Sequence, residues 1–194
     1  MASFTSDGVQ IAYDDIDPPG AERTVVLIHG FSSNRDEGWK RTGGDQAFER
    51  RRMRVIELDQ RGHGESQKLY DPQAYERAKL AGDVLALMDH LSVRRADVFG
   101  YSMGTRTALA VALAAPERVS NLILGGVGGK LLEPAPAVVG EPMAEAMLTE
   151  DPDTITQPML KSFRLFADEQ GEDRKALAAV TRVKNMPFNR DALA

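Results

Sequence analysis

Ala96-Asp97-Val98-Phe99-Gly100-Tyr101-Ser102-Met103-Gly104 is the stretch on which the reading of this chain turns. Ala96 to Phe99 has the composition of a short buried strand. From Met103 a helix is predicted to about Ala115, ending ahead of Pro116, whose ring disfavours helical geometry in the residue before it. A Gly-x-Ser-x-Gly set between a strand and a helix is a nucleophile elbow, a tight and strained turn that lifts the serine hydroxyl above the strand ends. At Gly100 and Gly104 a side chain would collide where strand and helix nearly touch, and glycine tolerates the unusual backbone angles nearby. The helix then carries Ala108, Ala110 and Ala112, small enough for close packing on a sheet. Five-residue matches of this kind are common by chance, so the strand-turn-helix context gives this one its weight.

Outward from the elbow, the same alternation repeats. Thr24-Val25-Val26-Leu27-Ile28 is a continuous β-branched run of the sort buried on both faces of a parallel sheet. Similar runs occur at Met53 to Leu58 and at Asn121 to Leu124. Ahead of them, Phe4 and Val9 to Tyr13 flank Ser6-Asp7-Gly8, an Asp-Gly hairpin signal. An antiparallel hairpin followed by four parallel strands is the expected sheet. A helix is predicted from Asp71-Pro72, an N-cap with proline at the first helical position, and Leu80, Val84, Leu87, Met88 and Leu91 form its apolar stripe. Strands alternating with helices imply a mostly parallel sheet with helices on both faces.

From Leu131 the pattern changes to helices interrupted at Pro134, Pro136, Pro142, Pro152 and Pro158. Met159, Leu160, Phe163, Phe166 and Ala167 share one helical face, and Leu177, Val180 and Val183 suggest another helix after Glu172. The expected division is a core over residues 1–130 and a helical cap over residues 131–194.

Composition narrows the function. A formal net charge of −5 offers no basic face for nucleic acid or anionic lipid. With no cysteine, thiolate metal ligands and disulfides are ruled out, and any nucleophile is an oxygen or an amine. No metal or cofactor is expected. The amino terminus has neither a basic n-region nor an apolar h-region, and the longest apolar run, Ala108 to Ala115, falls short of the roughly 20 residues that span a bilayer. A soluble, cytoplasmic protein is expected. Gly125 to Lys130 is not a phosphate loop, because Leu124 and Leu131 stand where that motif needs glycine and a hydroxyl residue.

An acyl-transfer serine needs donors for its oxyanion. One is the amide of Met103, next after Ser102, and the second is expected from Phe31, which Gly30 lets turn toward the serine. For the His29 imidazole itself, bonding to local backbone is the better reading. Together His29-Gly30-Phe31, Asp59-Gln60-Arg61-Gly62-His63-Gly64-Glu65-Ser66 and Gly100-Tyr101-Ser102-Met103-Gly104 resemble, in order, the three early landmarks of the α/β-hydrolase superfamily, in its serine esterase and lipase-like branch. The resemblance runs closely from Phe4 to Gly128 and loosely, as a variable cap, from Leu131 to Asn189. It implies the α/β-hydrolase fold, a structural role for the Asp59 to Ser66 turn with His63 bracing a loop, and hydrolysis of a small ester or related carbonyl substrate. Serine at the elbow disfavours the epoxide hydrolase and haloalkane dehalogenase branches, which place aspartate there.

The pattern then departs from the family, where acid and histidine follow the serine in chain order. The histidines are His29, His63 and His90, none after Ser102, and Asp151, Asp153 and Asp168 match no motif for the acid. The family's last strands are also missing, which leaves Asn121 to Leu124 as an apolar edge open to pairing. Two expectations result: an incomplete hydrolase, a truncated product or one completed by a partner chain or a second copy, and, competing with it, a non-catalytic module that binds a small apolar ligand.

Overall fold

The structure, a computed structural model, describes residues 2–133, 139–184 and 187–188. Pro134, Pro136 and the chain from Asn189 onward, parts of the expected cap, lie outside the described residues.

The hairpin forms as expected: β1 (Ala2–Ser6) pairs antiparallel with β2 (Val9–Ile16), with Asp7 and Gly8 both at positive φ in the turn. β3 (Arg23–Ile28) leads through a loop to α1 (Gly44–Glu49) and β4 (Met53–Leu58). α2 (Arg77–His90), β5 (Ala96–Tyr101), α3 (Met103–Ala114) and β6 (Val119–Gly125) follow. The six strands form one sheet in the order β1-β2-β4-β3-β5-β6, the last four of them mutually parallel.

Alternation along the strands sorts their side chains onto two faces. Val26, Ile28, Ile56, Leu58 and Val98 meet α2 and α3 through Val84, Leu87, Met88, Ala108 and Val111. Val25, Leu27, Met53 and Val55 meet Trp39 and Phe48 on the other face. Glu57, two residues beyond Val55, lies on that second face, fully buried, and among the described residues neither carboxyl oxygen has a hydrogen-bond partner. Burial, reinforced by the charge of Asp45, pushes its pKa up to about 8.

The helix expected from Asp71 is two pieces. Asp71 accepts from the Gln73 amide and caps a single 3-10 turn, Pro72–Tyr75, and α2 starts afresh at Arg77. The turn serves to bury Tyr75, whose hydroxyl donates to the Leu69 carbonyl at 2.6 Å.

β6 is the sheet's edge. Among the described residues no strand pairs its outer side, and Ile123 and Leu124, pointing to opposite faces, are 37% and 38% exposed.

Pro142, Pro152 and Pro158 start helical segments rather than interrupt them. Pro142 and Pro158 occupy the first turns of α4 (Glu141–Leu148) and α5 (Pro158–Glu169), where the missing N–H costs nothing, and α6 (Arg174–Arg182) is capped by Asp173. Met143, Ala146, Met147, Leu160, Ala167 and Leu177 pack these three helices together. Met159, expected on the buried face of α5, is 41% exposed; Arg164 is buried in that helix and donates to the carbonyls of Ala146 and Thr149. Among the described residues no helix is long and apolar enough to cross a membrane.

Candidate active site

Ser102 sits between β5 and α3 with φ 52° and ψ −113°, a conformation that L residues with a Cβ adopt only when the surroundings impose it. Those surroundings are specific. The Ser102 amide donates to the Gly125 carbonyl at 2.9 Å, and the Thr105 hydroxyl lies 2.9 Å from the Gly100 carbonyl and 3.0 Å from that of Gly125. A Cβ on Gly100 would stand 2.3 Å from the Gly104 carbonyl oxygen, and one on Gly104 would stand 2.2 Å from that of Ile28. Both glycines are therefore required by the close passage of β5, α3 and β3.

The loop after β3 passes just as closely. A Cβ on Gly30 would lie 3.3 Å from the Ser102 Cβ and 3.8 Å from its Oγ, which brings the backbone leading into Phe31 beside the serine. Met103 is the first residue of α3, so its amide has no acceptor within the helix. Among the described residues neither the Phe31 nor the Met103 amide donates to a protein acceptor. Ser102, Phe31, Met103, Gly100 and Gly104 are thus gathered at one point.

The loop carrying Phe31 is braced from the core. Asp59 accepts from the Arg35 amide at 2.7 Å and from its guanidinium, and from the Glu65 amide at 2.9 Å. The same guanidinium donates to Asp14 at 2.7 Å and Glu65 at 2.5 Å. In the turn after β4, Arg61 pairs with Asp83 of α2 through two bonds of 2.7 and 2.6 Å, both side chains buried. Gln60 ties the loops to α3: its amide donates to His29 Nε2 at 3.0 Å, its side-chain nitrogen to the His29 carbonyl at 2.9 Å, and its oxygen accepts from Thr107 at 2.7 Å.

These bonds fix the histidines. His29 Nε2 accepts from Gln60, so its Nδ1 carries the proton and donates to the Gly30 carbonyl at 2.8 Å. Burial holds the ring neutral, its pKa below the usual value, against an opposing pull from Asp59. His63 is also buried, with Nδ1 3.2 Å from the Arg61 carbonyl, Nε2 unpartnered, and a pKa driven well down by burial and then by His29. His90, at the end of α2, stacks on Phe4 and contacts the Tyr13 hydroxyl at 3.1 Å. Among the described residues no imidazole hydrogen-bonds Ser102. The acids of the later helices are engaged elsewhere: Asp151 caps a turn, Asp153 pairs with Lys161, and Asp168 pairs with Arg164 and Arg174.

Phe31 meets Phe163 of α5 with ring centroids 5.8 Å apart, and Phe31 and Met103 pack against the cluster of Tyr75, Ala179 and Val180. The surroundings are apolar. Met143 and Met147 serve helix packing, so it is Phe163 that reaches the site. Two site-bracing residues escape a linear reading: Gln60, whose partners are 31 and 47 residues away, and Glu172, which joins the α5–α6 turn to Asn34 and Gly64. Among the described residues no cluster of three or more histidines and acids could hold a metal.

The sequence profile of the alpha/beta hydrolase fold matches residues 23–180. A 2-hydroxy-6-oxononadienedioate/2-hydroxy-6-oxononatrienedioate hydrolase of Burkholderia vietnamiensis is 31% identical over 98% of this chain and 65% of its own length. Across eight of the curated relatives that it matches, the chain spans between 31% and 65% of their length. Among solved structures, the enol-lactonase of Burkholderia xenovorans superposes with a TM-score of 0.72 at 23% identity, over 93% of this chain and 72% of that one. An N-acyl homoserine lactone degrading enzyme superposes at 0.68 and 25% identity, over 92% and 70%.

Proposed function

Because this chain belongs to the alpha/beta hydrolase fold family, we propose that it acts as a serine hydrolase on a small ester or related carbonyl substrate, with Ser102 as nucleophile. The observation that carries the reading is the strained Ser102 backbone at the start of α3, so near the loop that bears Phe31 that a Cβ added at Gly30 would stand 3.3 Å from the Ser102 Cβ. Strain of that size persists where the fold over-determines it, and nucleophile elbows are such places. Ser102 Oγ bonds to the carbonyl carbon, the π pair moves onto the carbonyl oxygen, and the Phe31 and Met103 amides hold the resulting oxyanion. Each such donor stabilises the transition state by about 3 kcal/mol. The tetrahedral adduct then expels the leaving alkoxide or enolate, and water releases the acyl group. We assign the proton acceptor for Ser102 to a group the described residues do not place beside it, on further polypeptide or on a partner chain.

In this reading residues 131–194 form a cap over a core of residues 1–130. Phe31, Met103, Phe163 and Val180 suit an apolar acyl group. The similar N-acyl homoserine lactone degrading enzyme and 2-hydroxy-6-oxononadienedioate/2-hydroxy-6-oxononatrienedioate hydrolase favour a lactone or an oxo acid as the substrate. A cytoplasmic location remains our proposal.

Labelling by a fluorophosphonate probe, with Ser102→Ala as control and mass spectrometry of the adduct, tests the assignment. An adduct at Ser102 supports it, and an unlabelled, folded chain refutes an activated serine in this polypeptide. That no imidazole hydrogen-bonds Ser102 among the described residues favours one second reading, a module that binds a small apolar ligand without turning it over. There Ser102→Ala leaves binding intact and has no turnover to remove.

A further inference from the structure

Glu172, in the turn between α5 and α6, is 7% exposed, and no cation pairs with it among the described residues. Its carboxylate reaches out of its own helices to two loops of the sheet. Asn34 Nδ2 donates to Oε1 at 3.0 Å, and the Gly64 amide donates to Oε2 at 2.9 Å and to Oε1 at 3.1 Å. Burial pushes the Glu172 pKa up, partly offset by the bonds from Asn34 and Gly64 and by the charge of Lys68, so the group is costly to bury compared with an apolar side chain.

Its partners show what it holds. Asn34 lies three residues past Phe31, and its own Oδ1 accepts from the Glu37 amide at 2.9 Å. Gly64 belongs to the turn whose Asp59 grips Arg35 from the core side. The segment 31–35 is therefore held from the sheet by Asp59 and from the helices by Glu172. The next residue, Asp173, caps α6 and accepts from the Tyr70 hydroxyl at 3.0 Å, so the same turn fixes the helix whose Ala179 and Val180 join the cluster that Phe31 and Met103 pack against.

We propose that Glu172 is a positioning residue, a latch through which closure of the cap sets the loop that presents the Phe31 amide. This rests on the reading of that amide as an oxyanion donor. Lifting the cap breaks the bonds to Asn34 and Gly64 together and leaves segment 31–35 braced through Arg35 alone, by Asp59, Asp14 and Glu65.

Hydrogen exchange read by mass spectrometry on the full chain tests it, with wild type, Glu172→Gln and Asn34→Asp. Asn34→Asp is nearly isosteric and keeps the acceptor for the Glu37 amide, but sets a second carboxylate against Glu172. Both variants are expected to speed exchange in residues 31–38 and 171–182 together, by roughly tenfold or more, while β3, β4 and β5 stay protected. Fluorophosphonate labelling of Ser102 should slow at saturating probe, with the half-saturating concentration little changed. Faster exchange confined to 171–182, or exchange in both segments within about twofold of wild type, would overturn the latch. If wild type itself is not labelled, the nucleophile reading fails instead, and exchange alone decides the latch.

Discussion

Replacing Glu57 by glutamine should make the protein more stable, and increasingly so as pH rises. Glu57 has no exposed surface and, among the described residues, no hydrogen-bond partner, and its pKa of about 8 in the fold compares with 4.5 for the free side chain. Between those values the folded chain keeps a proton that the unfolded chain has released, so stability falls as pH rises, by about 1.4 kcal/mol per unit at the steepest. Below about 4.5 the two states bind the proton alike, and above about 8 the loss is complete. From pH 5 to pH 8 the two titrations together remove about 3 to 4 kcal/mol. Glutamine has nearly the same shape and no charge to suppress, so Glu57→Gln should lose none of this. Urea unfolding of both proteins at pH 5, 6, 7 and 8 measures the difference, in which every other titrating group cancels. If the two stability curves run parallel across that range, Glu57 is not a buried neutral acid and the packing around it differs from that described.

Three further outcomes follow from the elbow and the edge. Ser102→Gly removes the Cβ from a backbone at φ 52° and should raise stability by about 1 kcal/mol in thermal unfolding while abolishing labelling. Gly104→Ala places a Cβ 2.2 Å from the Ile28 carbonyl oxygen and should destabilise by about 2 kcal/mol or more, with loss of Ser102 labelling because β5 and α3 must part. Ile123→Lys, on the unpaired edge strand, should reduce concentration-dependent association in sedimentation velocity without lowering the melting temperature; unchanged association would show that β6 is not the contact.

Strand runs, the hairpin and the elbow were legible because each is decided by neighbours in sequence: β-branched composition, an Asp-Gly turn, glycines on either side of Ser102. The prolines of the later helices were legible as boundaries, though as starts rather than stops, since proline is disruptive inside a helix and neutral in its first turn. The apolar face of α5 was only partly legible. A periodic stripe says which residues align, not which are buried: Met159 is exposed, while Arg164 is buried with its guanidinium on the carbonyls of Ala146 and Thr149.

By itself the sequence determined the order of strands and helices, the place of Ser102 on its turn, and the lack of any histidine after it, because these depend on local backbone preference and residue identity. Only the tertiary structure decided that burial keeps His29 neutral while Gln60 fixes its tautomer, that Glu57 lies buried without a partner among the described residues, and that Glu172 joins α6 to the Phe31 loop. Those properties arise where chain segments up to 138 residues apart meet out of water, and there burial and the available donors, rather than residue type, set charge and position.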